Sequence, residues 1–142
     1  MTVIKLTRYA SKDAPGDAVQ SVMFIDGLGM EGDFYARGGQ RQLSLLSLVE
    51  RQWMDTQAEP GLCFARYKEN VLLDTLGVLP PGSRVTIGEA VLEITDTAKH
   101  CFEACSLFSR GKNCILAGRS LFARVVKGGI THVGDYATEE KY

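Results

Sequence analysis

Apolar and polar positions alternate with period two along much of this chain, the pattern of half-buried strands. Residues 3–9, VIKLTRY, read as an opening strand. The polar stretch SKDAPGDA (11–18) turns the chain, and SVMFID (21–26) is a second strand rich in β-favouring residues. GLGMEGD (27–33) is a glycine-rich loop, and RQLSLL (41–46) sets Leu43 and Leu45 between polar neighbours as another strand. Ser47 and Glu50 then form an S-x-x-E capping box, which predicts a helix from about Leu48 to Gln57 with Val49 and Trp53 on one face. EPGL (59–62) stops it. The clearest hairpin follows LPPG: Val85 and Ile87 alternate with polar residues, Gly88–Glu89 turns, and residues 91–95 return. A short helix is expected around 103–110. SLFARVVKG (120–128) is a strong strand, Gly128–Gly129 turns into ITHVGDY, and TEEKY reads as a frayed tail.

About six strands, one good helix and regular glycine turns predict a mainly β fold, an antiparallel β-barrel with one or two short helices. The 142 residues suit a single domain spanning 1–142. No repeat, low-complexity segment or linker divides them.

Composition narrows the function classes. Apolar residues make up 45% and charged residues 23%, ordinary values for a globular protein, and the net charge is −1. That balance gives no basis for nucleic-acid or polybasic membrane binding. Met1 to Gln20 lacks an apolar run of signal-peptide length, and no segment approaches a membrane span, so a cytoplasmic protein is expected. Thiols there are mostly reduced. Cys63, Cys101, Cys105 and Cys114 are therefore not expected to form a disulfide framework.

Gly27, Gly29 and Gly32 match G-x-G-x-x-G after a strand. A dinucleotide fingerprint needs a helix opening at that loop, and DFYARGGQRQ has no helical apolar stripe. The Rossmann reading is set aside.

The stretch KHCFEACS (99–106) carries more chemistry. Its C-x3-C spacing, with Cys114 further on, matches neither common zinc pairs nor ferredoxin patterns. Burial suits Cys63 and Cys114, which lie beside apolar neighbours. Cys101 differs, because Lys99 and His100 precede it and a nearby cation favours the thiolate, which is both nucleophile and soft metal ligand. Glu103 opposes that effect. On a helix, Cys101 and Cys105 would share a face, suiting a resolving pair or a persulfide relay. Arg37, Arg41 and Lys68, with Asn70 as an amide partner, are candidates for gripping an anion, against the alternative of a solvated charged face.

Together these pieces resemble the MOSC family, named for the C-terminal domain of molybdenum cofactor sulfurases. GLGMEGDFYARGGQRQLSLLSLVE resembles its first block, and KENVLLDTLGVLPPGSRVTIGEAVLEIT its middle block. Lys99-x-Cys101-x-x-x-Cys105, Asn113-Cys114-Ile115 and LFARVVKGGITHVGD resemble the last block of small stand-alone bacterial members. The resemblance implies a β-rich barrel. It puts the characteristic cysteine at Cys101, as ligand to molybdenum of the pterin cofactor (molybdopterin) or as sulfur carrier. Lys99 would favour its thiolate, Cys105 and Cys114 would be secondary sulfur sites, and Arg41, Gln42 and Asn70 would line the polar part of the pocket. Tyr35 stands where the first block commonly has histidine, able to donate a hydrogen bond but a poor base. Phe102 stands where histidine often follows the cysteine.

At 142 residues the chain is expected to lack room for the pyridoxal-phosphate desulfurase domain that the large sulfurases carry. Sulfur would come from a cysteine-desulfurase-type donor and pass to a molybdoenzyme acceptor. Three alternatives stay open: a molybdenum-dependent oxidoreductase reducing N-hydroxylated compounds with partner electron carriers, a non-catalytic β-barrel interaction module, and a zinc-binding module.

Overall fold

The computed structural model describes residues 1–12, 14–55, 69–77, 79–96 and 121–140. The strands are β1 (Val3–Arg8), β2 (Asp17–Val19), β3 (Ser21–Ile25), β4 (Gly29–Met30), β5 (Leu43–Ser47), β6 (Val71–Leu73), β7 (Arg84–Ile87), β8 (Ala90–Asp96), β9 (Leu121–Lys127), β10 (Gly129–His132) and β11 (Ala137–Glu139). One helix, α1 (Leu48–Asp55), is present among the described residues. An eight-stranded sheet runs β11-β7-β8-β9-β5-β6-β1-β2, and a three-stranded sheet runs β10-β3-β4.

The mainly β, antiparallel-dominated expectation holds, with a correction to closure. Among the described residues the large sheet is not closed by a ladder, since β11 and β2 are its ends. It curls far enough for β1 to meet the approach to β11 through one isolated bridge, Thr2 to Tyr136. Around that bridge Ala137 N donates to Met1 O at 2.8 Å and Val3 N to Asp135 O at 2.9 Å.

Alternation explains which side chains fill the middle. Val85 and Ile87 of β7, Leu92 and Ile94 of β8, and Leu121, Ala123 and Val125 of β9 all enter one core with Leu6, Phe24, Leu43 and Leu45. The β7–β8 hairpin forms in the expected register, Ile87 opposite Ala90, with Gly88 at φ 55° in the turn. At that position a Cβ would lie 2.9 Å from Ile130 O, a backbone atom, and the positive φ itself favours glycine.

Strand β5 departs from simple alternation: all five of its residues are buried. It lies in the middle of the large sheet, antiparallel to β9 and parallel to β6. Leu43 and Leu45 face the main core, while Leu46 and its cross-strand partner Leu72 are buried outside that cluster. The parallel β5–β6 pair had no signal in the local pattern. A parallel pairing needs a crossover, and α1 leaves β5 directly to begin one. Ser47 caps that helix as expected, its Oγ accepting from Glu50 N at 3.4 Å.

Three local expectations are corrected. Val49 is 52% exposed, so it is not part of a buried helix stripe. Gly29 and Met30, expected in a loop, pair with β3 as a two-residue strand. Thr138 and Glu139, expected in a frayed tail, pair with β7, because the exposed edge of β7 offers unpaired backbone groups. The helix expected around 103–110 lies outside the described residues. No helix among the described residues is long and apolar enough to cross a membrane.

Candidate functional site

A cross-strand row organises the candidate residues. Asp96 of β8 pairs with Phe122 of β9, which pairs with Ser44 of β5. Asn70, just before β6, donates its backbone N–H to Ser44 O at 2.9 Å and accepts Thr7 N of β1 at 2.9 Å. On one side of this row β8 ends at Asp96, β9 begins at Leu121 and β5 runs to Ser47. On the other lie Gln42, Glu69 and Tyr9.

Asn70 is the row's polar anchor and only 2% exposed. Its Oδ1 accepts from Ser44 N at 3.0 Å and Ser44 Oγ at 3.3 Å, and its Nδ2 donates to Thr7 O at 3.2 Å. Gln42 is equally committed. Its Nε2 donates to Gly39 O at 3.0 Å and its Oε1 accepts Val125 N at 2.9 Å, so one side chain ties the 27–42 loop to β9. Both ends of each amide are engaged internally. Burial without such partners would cost each polar group roughly 1–3 kcal/mol.

Asp33 of the Gly–Asp dipeptide is a second buried anchor. Its Oδ1 accepts Tyr9 N at 2.8 Å and its Oδ2 accepts Tyr35 N at 3.1 Å. Burial pushes its carboxyl above the ordinary value, opposed by those two N–H groups, the Asn70 side chain and the Arg8 charge. Tyr9 is 8% exposed, and its hydroxyl donates to Glu69 O at 3.2 Å. Burial first, and the Glu69 charge second, push its phenol up to about 12. Glu69 is ion-paired with Arg51 of α1. Asp33, Tyr9 and the Arg51–Glu69 pair were not singled out from sequence. The Gly32–Asp33 dipeptide was a usable signal for the first. Nothing local joins Arg51 to Glu69, because the crossover alone brings them together.

The remaining described candidates lie toward the surface. Tyr35 is half-buried, its ring edge-on to Phe34 with centroids 5.0 Å apart. Arg41 is exposed, with its guanidinium 4.5 Å from the centre of the Phe122 ring. Next to it, Gln40 O accepts from the Thr95 hydroxyl, which also donates to Phe122 O at 3.2 Å. The loop therefore leans on β8 and β9 at the row, beside Asp96 and Leu121. Thus Tyr35 joins Asn70 through Asp33, whereas Arg41 joins Phe122. Lys99, Cys101 and Cys105 lie outside the described residues, as do Cys63, Cys114 and Lys68. Among the described residues, no group of three His, Cys, Asp or Glu is placed to hold a metal.

Comparison with known proteins bears on the fold. No family model matches the chain, and no curated protein matches it. Solved structures do. The YuaD protein from Bacillus subtilis superposes with a TM-score of 0.67 at 17% identity, over 100% of this chain and 97% of that one. YiiM from Escherichia coli gives 0.64 at 17% identity, over 100% of this chain and 71% of that one. YiiM from Geobacillus stearothermophilus gives 0.58 at 14% identity, over 99% and 73%. YuaD and YiiM have the MOSC-type fold, and at these identities the likeness establishes a shared fold.

Proposed function

We propose that this chain is a small MOSC-type protein that binds the molybdenum cofactor, or carries sulfur as a Cys101 persulfide for cofactor sulfuration or metal–sulfur assembly. The observation that carries the reading is the fold shared with YuaD and YiiM over the whole chain, taken with the resemblance of Lys99-x-Cys101-x-x-x-Cys105 to the family's last block.

An anionic, oxygen-rich cofactor calls for exposed cations and hydrogen-bond donors beside a soft ligand. Arg41 and the Tyr35 phenol fit the first need, and Cys101, with Lys99 favouring its thiolate, fits the second. Asn70 and Gln42 serve by holding the frame, since their amides are spent on the backbone. Molybdenum, when bound, supplies a redox-active centre that a thiolate can ligate.

As a carrier, the chain accepts sulfur by exchange. The Cys101 thiolate attacks the terminal sulfur of a donor persulfide, a new S–S bond forms, the donor's S–S bond breaks, and the donor thiolate leaves. The step needs no external oxidant. The donor is a cysteine-desulfurase-type protein and the acceptor a molybdoenzyme or its cofactor.

The deciding experiment is metal and pterin analysis of protein purified anaerobically from a cofactor-producing host, with persulfide mapping by mass spectrometry. Molybdenum with pterin, or one added sulfur on Cys101, is expected in the parent and lost in Cys101→Ala. Equal loading of parent and variant would overturn the role of Cys101. Turnover of N-hydroxylated compounds with an artificial electron donor would move the reading from carrier to enzyme.

A further inference from the structure

We propose that the outer face of the three-stranded sheet β10-β3-β4 is a docking surface for a basic amphipathic helix of a partner protein. One cross-strand row carries the argument. Met23 of β3 lies directly opposite Ile130 of β10. Their chain neighbours Phe24 and Thr131 are fully buried, whereas Met23 and Ile130 are 38% and 37% exposed. Alternation therefore sets this apolar pair on the outside of the sheet.

Acidic residues close the row at both ends. On the β4 side Glu31 N donates to Met23 O at 2.9 Å, and Glu31 follows the buried Met30, which leaves it the outward position. At the other end Glu89 N donates to Ile130 O at 3.1 Å, and Ile130 N donates to Glu89 Oε2 at 3.3 Å, which holds that carboxylate beside Ile130. A third acid, Asp26, follows β3 directly, and its Oδ1 accepts from Gly128 N at the entry to β10. All three acids are exposed, and among the described residues none of them forms an ion pair. The cations at the two ends of β10 are placed elsewhere. Lys127 lies opposite Val91 in the large sheet, and His132 Nδ1 faces Asp135 at 3.6 Å.

Charge selects the occupant. An apolar pair rimmed by uncompensated carboxylates favours a partner that brings apolar groups between cations. A second copy stacked face to face would set these acids against one another, and an anionic lipid surface would be repelled. The row spans roughly 14 Å, three neighbour spacings of about 4.8 Å. Lysines seven residues apart on a helix stand about 10 Å apart along its axis, and their flexible stems reach the rest. Two leucines between them, three and four residues beyond the first lysine, share that helix face. The pattern that fits is Lys-x-x-Leu-Leu-x-x-Lys.

The surface contains none of the residues of the cofactor reading. The test is an NMR titration of the full chain, followed at methionine methyls and backbone amides, with a helical peptide carrying Lys-x-x-Leu-Leu-x-x-Lys. Counterparts with Glu for Lys, or Ser for Leu, are titrated at the same ionic strength. Saturable shifts at the Met23 methyl and at the Ile130 and Glu31 amides are expected with the first peptide alone. Met23→Ser should weaken that affinity about tenfold. Glu31→Gln combined with Glu89→Gln, which retains an acceptor for Ile130 N, should weaken it about fivefold, with circular dichroism confirming the fold of each variant. Absence of saturation, equal binding of the acidic peptide, or unchanged affinity in either variant would overturn the surface. A concentration-dependent dimer with its interface at Met23 and Ile130 would overturn it in favour of a second copy. Cys101→Ala should bind the peptide as the parent does, so failure of this surface and failure of the proposed function are read separately.

Discussion

Two neighbouring groups of polar residues, drawn from the same stretches of chain, behave in opposite ways. Asn70, Gln42 and Asp33 are buried, and their side chains are spent on the backbone groups of Ser44, Thr7, Gly39, Val125, Tyr9 and Tyr35. Arg37 and Arg41 are exposed, with their guanidinium groups over the Phe34 and Phe122 rings. The first group sets the positions of strands and loops; the second presents charge. A polar residue in a resemblance-bearing block can therefore contribute by holding the frame that places another residue's donors.

The comparison breaks most visibly at Asn70. Asn70→Ala leaves Ser44 N and Thr7 O without their side-chain partner in a buried row. A loss of about 2–4 kcal/mol is expected, read as a lower midpoint in urea denaturation with an unchanged slope. If the row tolerated the change within experimental error, the anchoring role would be wrong. Gln42→Ala comes next, at about 1–3 kcal/mol, because Val125 N loses its acceptor and the loop its tie to β9. Hydrogen exchange at Val125 should rise more than at Leu92, which lies on another strand.

Tyr9 tests the same buried network through pH. Its phenol is pushed up to about 12 from an ordinary value of 10.0, so the folded state favours the neutral form. The corresponding stability is fully present below pH 10 and is lost as pH rises through about 12. Tyr9→Phe should flatten that alkaline limb, at a cost near neutrality of about 0.5–1.5 kcal/mol for the lost bond to Glu69 O. Near-ultraviolet titration of the parent should show one tyrosine ionising near pH 12, and Tyr9→Phe should remove that step.

The smallest expected effect sharpens the comparison from the other side. Arg41→Gln removes an exposed stacking contact, worth about 0.5–1 kcal/mol, and denaturation should barely register it. Under the proposed function the same substitution should lower cofactor retention, whereas Asn70→Ala acts mainly on stability. A large destabilisation by Arg41→Gln would mean that the loop is built on that contact.

What the linear pattern determined was local. Period-two alternation in β7, β8 and β9, the Gly88–Glu89 turn and the Ser47 cap all follow from residues within a few positions of one another, whose conformational preferences act without the rest of the fold. The charge and planarity of Arg37 and Arg41 were also legible, because they belong to the side chain itself. Tertiary structure decided the remainder. It set β5 parallel to β6, recruited Thr138 and Glu139 to the edge of β7, and joined Arg51 to Glu69. It also brought the amides of Asn70 and Gln42 onto the backbone groups of Ser44, Thr7, Gly39 and Val125. An amide carries the same donors and acceptor in either role. Which role it takes depends on whether water or an otherwise unsatisfied backbone group lies within reach, and only the packing of distant strands determines that.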